Sequence, residues 1–175
     1  MKNVRIRDLA YIGLSIALIT IGTMVIQIPI PATSGYIHVG DGIILLVAVT
    51  FGAKYGLVAG GVGSALADIV SGYTIWAPFT LVIKALMGYA MGKISETDGD
   101  LSFNSSRSYL GSIVATVIMI VGYFIAGSFL SGTMSAALVS VPWNALQGLG
   151  GIVIYVFIGH LFEKVDIRKS IKWNK

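Results

Sequence analysis

Apolar residues run almost uninterrupted along this chain, and the breaks are clusters of Pro, Gly and charge rather than a regular polar face. A helix crossing a bilayer needs about 20 apolar residues, fewer where neighbours shield it, so these breaks mark out six spanning segments. They fall at about 9–28, ending at "PIP", then 40–52, 56–70, 77–94, 109–130 and 142–162. The second, 13 residues long, spans only about 20 Å as a helix. It is expected to tilt little and to be flanked by structure that reaches into the membrane. The segment 95–108, "SETDGDLSFNSSRS", is the one clearly soluble linker, and no internal repeat is visible. Residues 1–7 followed by an apolar run imitate a signal peptide. The run is long and no small-x-small cleavage site follows it, so it reads as a retained first helix. The expected fold is an all-α integral membrane protein, one domain over 1–175.

Charge fixes an orientation for this bundle. Lys2, Arg5, Arg7, Lys54, Lys93, Arg107, Lys164, Arg168, Lys169, Lys172 and Lys175 all fall on one side of a six-helix path. The three opposite loops, 29–39, 71–76 and 131–141, carry no Lys or Arg. By the positive-inside rule the basic side is cytoplasmic, and both termini lie there. Composition agrees with the membrane reading: of 175 residues 55% are hydrophobic and 11% charged, against about 25% charged in a typical soluble domain. Mean hydropathy is +0.85. The 22 glycines suit helices that approach closely in lipid. With no cysteine, disulfides, thiolate metal sites and a Cys nucleophile are excluded. The net charge of +4 is explained by topology, and no segment remains to bind nucleic acid.

Charges inside the spans are expensive, about 3 kcal/mol each at a helix centre on insertion scales, so each should face a pocket or a partner. Asp41 opens the second helix, Asp68 lies near the outer end of the third, and Lys84 sits seven residues into the fourth, all in the outer half of the bundle. Two readings of Lys84 stand side by side. It neutralises Asp68 or snorkels to the surface, or it faces a pocket together with Thr80 and Gly88, four residues to either side. The small face of Gly60, Gly61, Ser64 and Asp68 is better suited to packing helices. In "VPWNALQG", Trp143, Asn144 and Gln147 fall on one side of the sixth helix, offering a flat indole and amides to a polar heteroaromatic ring. The alternative is an interfacial Trp with amides joining helices. Trp76 and Tyr73 have the same interfacial alternative. The loop 29–42, "PIPATSGYIHVGDG", brings Tyr36, His38 and Asp41 to the mouth of the same cavity and could act as a gate. No second His or carboxylate stands at ligand spacing, so no metal is assigned. No phosphate loop occurs, so uphill transport would need an external motor. Ala10, Gly13 and Ala17 make a small-residue face near the cytoplasmic end of the first helix, suited to docking another helix or packing in the bundle.

The stretches "GYIHVGDG", "ADIVSGYTIWAPFTLVIKALMG" and the amides after "VPWN" together resemble the substrate-binding S components of energy-coupling factor (ECF) vitamin transporters, most closely the riboflavin-transporter type. That type also includes carriers of pyridoxine-, hydroxymethylpyrimidine- and pantothenate-like compounds. The resemblance implies a multi-pass subunit of the bacterial cell membrane that captures a water-soluble vitamin from outside. It implies partners too: a transmembrane coupling subunit and two cytoplasmic ATPases. The family's lid between the first two helices maps onto Tyr36 and His38. Its ligand contacts map onto Lys84, Trp143, Asn144 and Gln147. Its docking motif on the first helix, Ala-x-x-x-Ala, finds the spacing Gly13-x-x-x-Ala17 here, with Ala10 offset.

The reading is a non-enzymatic substrate-binding subunit without a cofactor, with hydroxymethylpyrimidine or pyridoxine favoured and riboflavin next. A proton-coupled carrier working alone, with Asp68 or Asp41 taking the proton, is the competing function. It lacks the inverted repeat and broken helices that many such carriers show. A purely structural membrane subunit would leave Lys84 with no purpose beyond pairing.

Overall fold

The computed structural model describes residues 6–30, 35–97 and 100–165. Lys2, Arg5, Arg168, Lys169, Lys172 and Lys175 lie outside them. The order of elements is α1 (Ile6–Val25), β1 (Gln27–Ile30), β2 (Gly35–His38), α2 (Gly40–Phe51), α3 (Ala53–Val70), α4 (Ala77–Ser95), β3 (Glu96–Thr97), β4 (Asp100–Leu101), α5 (Ser106–Ser131), α6 (Met134–Leu138) and α7 (Ser140–Lys164). All six expected helices are present. The additions are two antiparallel hairpins, β1–β2 and β3–β4, and the one-turn α6. The first helix stops at Val25, short of the expected 28, because Gln27 to Ile30 pair with Gly35 to His38 in register Gln27 with His38 and Ile30 with Gly35.

Among the described residues three spans are long and apolar enough to cross a membrane: α1, α5 and the stretch Met134–Lys164 that holds α6 and α7. Gly and charge dilute α3 and α4, which keep lengths of 18 and 19 residues. The short α2 survives because it is the axis of the bundle: nine of its 12 residues are buried. Leu45, Leu46 and Val49 on one side of it meet Ile83, Met87 and Met91 of α4, Ala115 and Met119 of α5 and Tyr155 of α7. On its other side Ile44 and Val47 meet Ile19 of α1 and Ala59 of α3. The outer faces are apolar as well, as Ile113, Val117, Val121 and Ile125 of α5 show, so this bundle is coated for lipid rather than water.

Glycine sets the closest crossings. Gly56 and Gly88 place α3 and α4 in backbone contact, and a Cβ on Gly60 would stand 2.8 Å from the Lys84 carbonyl. Gly88 is thus a packing residue and offers no ligand face. Gly52, with φ at +94°, makes the break that turns α2 into α3. The bundle has two different ends. One carries the β1–β2 hairpin, the α3–α4 turn and α6. At the other, Glu163 accepts hydrogen bonds from the Phe103 N–H and the Ser102 hydroxyl, both at 3.0 Å, and Tyr155 donates to the Phe103 carbonyl at 2.6 Å. Arg7, Lys54, Lys93, Arg107 and Lys164 stand on the helix termini of that second end.

Candidate functional site

Beneath the β1–β2 hairpin the helices leave a partly open cavity with both polar and aromatic walls. Its roof is Ile30, Gly35, Tyr36 and His38 of the hairpin. Its walls are Asp68 of α3, Trp76 and Thr80 at the start of α4, Tyr123 of α5, and Ser140, Asn144 and Gln147 of α7. Aromatic and amide groups therefore converge on one space from five parts of the chain.

Each polar group is held from behind. The Tyr36 hydroxyl donates to Asp68 Oδ1 at 2.6 Å, and its ring lies 4.5 Å from that of Tyr73. Gln27 Nε2 donates to Ser71 Oγ at 2.9 Å, fastening the other strand to the end of α3. On the far side the His38 backbone N–H donates to Gln147 Oε1 at 3.0 Å. The hairpin is pinned to α3 and α7 at once.

Under this roof sits a closed polar chain. Gln147 Nε2 donates to Asp41 Oδ2 at 2.9 Å, and Lys84 Nζ donates to Asp41 Oδ1 in an ion pair with both side chains fully buried. Lys84 also stands 5.3 Å from the Tyr123 ring centre, and the Tyr123 hydroxyl is 3.1 Å from Thr80 Oγ1. Gly151 makes this possible: a Cβ there would come within 2.9 Å of the Asp41 Cβ, so only a glycine lets α7 close over α2 and carry Gln147, one turn earlier, onto the carboxylate. His38 Nδ1 accepts the Gly40 N–H at 3.0 Å, joining the end of β2 to the first turn of α2. Burial pushes the His38 imidazole down to about 4, so it is neutral at pH 7.

Two expectations are corrected by this geometry. Lys84, read either as facing the pocket or as pairing with Asp68, pairs with Asp41 instead, and it is absent from the cavity lining because that pair lies below the floor. Trp143 is absent from the cavity lining and remains 43% exposed, while the Asn144 and Gln147 side chains are 8% and 5% exposed: four-residue spacing puts Trp143 beside Gln147, but on the opposite flank from Asn144, where α7 faces out of the bundle. Tyr36, His38, Asp68, Asn144 and Gln147 are brought together. Tyr123, which the sequence reading passed over, joins them from the middle of an apolar helix. Trp76 is a wall of the cavity, 6.0 Å from the Tyr123 ring centre. Ala10, Gly13 and Ala17 lie on the outward face of α1, with no atom within 4 Å of a Cβ placed on Gly13, so this face does not pack inside the bundle. Among the described residues no group of three His, Cys, Asp or Glu could hold a metal.

The family model for the S component of ECF-type riboflavin transporters matches residues 3–164. An uncharacterised protein of Pyrococcus woesei is 40% identical over 83% of this chain and 95% of its own length. The thiamine precursor transporter HmpT of Lactococcus lactis subsp. cremoris is 25% identical over 98% of this chain and 97% of its own. Among solved structures, the S component of a bacterial ECF transporter superposes with a TM-score of 0.70 at 21% identity, covering 95% of this chain and 98% of that one, which is a likeness of fold. With the bundle, the roofed cavity and a family match along nearly the whole length, this chain belongs to the S components of the ECF riboflavin-transporter type.

Proposed function

We propose that this S component captures a vitamin precursor of pyrimidine or pyridine type in the cavity under the β1–β2 hairpin, for import by an ECF module. One observation carries the reading: Trp76, Tyr123 and Tyr36 supply ring faces, while Asn144, Gln147 and Asp68 supply hydrogen-bonding edges around the same space. Flat faces with polar edges fit a small heteroaromatic ring bearing polar substituents. The likeness to a thiamine precursor transporter favours hydroxymethylpyrimidine, with pyridoxine beside it and riboflavin as the next candidate. The hairpin end faces outward and the basic end faces the cytoplasm, with both termini on the cytoplasmic side of the cell membrane. A transmembrane coupling subunit and two ATPases supply the energy, since this chain holds no phosphate loop.

A proton-coupled carrier is less well supported. Of its two candidate proton acceptors, Asp68 and Asp41, Asp41 is held as a carboxylate by the Lys84 ion pair and by Gln147. The test is mass spectrometry of the small molecule that copurifies with the detergent-solubilised protein, followed by titration of hydroxymethylpyrimidine, pyridoxine and riboflavin. Saturable binding of the pyrimidine or the pyridine supports the reading. Binding of riboflavin alone moves the assignment to the flavin.

A further inference from the structure

The cavity lining holds one carboxyl group. Lys84 is paired with Asp41 and His38 is neutral, so Asp68 has no ion-pair partner among the described residues. Asp68 is 4% exposed. Its Oδ1 accepts from Tyr36, but its Oδ2 is buried and has no hydrogen-bond partner among the described residues. Thr80, beside it in the wall, has its hydroxyl 3.1 Å from Tyr123. A carboxylate oxygen offers two lone-pair positions, so even a Thr80 hydroxyl rotated toward Asp68 leaves one open. An acceptor buried this way is costly unless something donates to it, and a ligand that displaces solvent from the cavity must take over that task.

Resting on the vitamin-precursor reading above, we infer that Asp68 is the specificity-determining residue of this site and that its Oδ2 receives an exocyclic amino group on the substrate ring. Tyr36 fixes the carboxylate by occupying Oδ1, so the second oxygen has a set direction. An amino group conjugated to a pyrimidine is a donor polarised by the ring, which suits a buried carboxyl oxygen that no donor of the described residues meets. A ring with hydrogen at that position leaves Oδ2 unpaired and dry, and sites built to pair a donor reject such analogues strongly. The opposite edge of the ring then meets the amides of Asn144 and Gln147.

The experiment uses the full chain in detergent or nanodiscs and two ligands, 4-amino-5-hydroxymethyl-2-methylpyrimidine and the same ring lacking the amino group. The wild type should bind the amino compound at least roughly 10-fold more tightly, the discrimination expected of one hydrogen bond to a charged group. In Asp68→Asn, which keeps shape and removes charge, the ratio should fall to about threefold or less. Asp68→Ser provides a second variant without the carboxylate, and thermal unfolding of each variant establishes that it is folded. Equal affinity of the wild type for the two rings overturns the role of Asp68 and leaves the vitamin-precursor reading intact. So does a ratio retained in a folded Asp68 variant. Failure of both pyrimidines to bind, with riboflavin binding, overturns that reading itself and this inference with it.

Discussion

Lys84 on α4 and Asp41 on α2 form an ion pair that solvent does not reach, with Gln147 of α7 on the second carboxylate oxygen. Three helices thus meet on one charge pair directly under the cavity floor. Removing one member of a buried pair leaves an uncompensated charge, and the cost is typically about 3–5 kcal/mol, whereas replacing both by apolar groups is often close to neutral. Lys84→Met should therefore destabilise the protein strongly, and Lys84→Met with Asp41→Leu should recover most of the loss. Thermal unfolding of the two single variants and the double variant, analysed as a cycle, measures the coupling. Because Lys84 does not line the cavity, the folded double variant should bind ligand within a few-fold of wild type. A large loss of affinity in that double variant would return Lys84 to the substrate.

The hairpin holds a pH-sensitive joint. His38 Nδ1 accepts the Gly40 N–H, so protonation both buries a charge and turns the acceptor into a donor facing another donor. Burial lowers the imidazole from its ordinary 6.5 to about 4, with Asp41 opposing and Lys84 reinforcing the shift. Between these values the unfolded chain takes up the proton before the folded one. Stability is thus complete above about pH 6.5 and falls as the pH drops toward 4. At pH 4.5 the loss should be roughly 2–3 kcal/mol relative to pH 7. His38→Asn, whose carbonyl can still accept from Gly40, should flatten this part of the profile. Unfolding midpoints of both proteins from pH 4.5 to 7.5 provide the check.

How much of this was legible in the sequence follows from what each signal depends on. Helix number and placement were readable because a span is a local property, set by runs of apolar residues and by breaks such as Gly52. The β1–β2 hairpin was not, since "QIPI" and "GYIH" are too short to separate from loop by pattern, and their pairing is fixed by contacts to Asp68, Ser71 and Gln147 far along the chain. Asp41, Asp68 and Lys84 stood out as charges in apolar runs, but which of them pair depends on the α2–α4 crossing, which no local spacing encodes. Helical spacing groups Trp143, Asn144 and Gln147, but spacing alone does not say which flank of that group turns toward the bundle, and here Asn144 and Gln147 line the cavity while Trp143 faces out. Tyr123 had only one available signal, a phenol in the middle of an otherwise apolar helix beside Gly122, where a buried hydroxyl needs a partner.

Orientation can be tested with unusual economy, because the natural chain has no cysteine to remove. Single cysteines at Gly72 and Thr133, on the hairpin end, should react with a membrane-impermeant maleimide added to intact cells. Single cysteines at Asn104 and Lys164, on the opposite end, should react only after permeabilisation. The pattern of labelling decides the orientation directly, and the reverse pattern would invert the membrane placement proposed for the cavity.

The outward face of α1 should be where the coupling subunit docks. Ala10, Gly13 and Ala17 are exposed, flanked by Leu14, Leu18 and Ile21 that also point away from the bundle, so the helix presents a shallow groove between larger side chains. Small residues on such a face let a second helix approach to backbone distance, and in lipid that close packing is a main source of association. A Cβ at position 13 would point into open space and Ala17 is exposed, so Gly13→Leu and Ala17→Leu should fold and bind ligand as the wild type does. The same leucines stand where a partner helix must pass, and they should abolish copurification with the coupling subunit and, in cells, uptake. The cavity is at the other end of the bundle, which separates the two effects. A pull-down and a ligand titration on the same preparation measure both, and a complex that forms normally with both variants would move the docking surface to another helix.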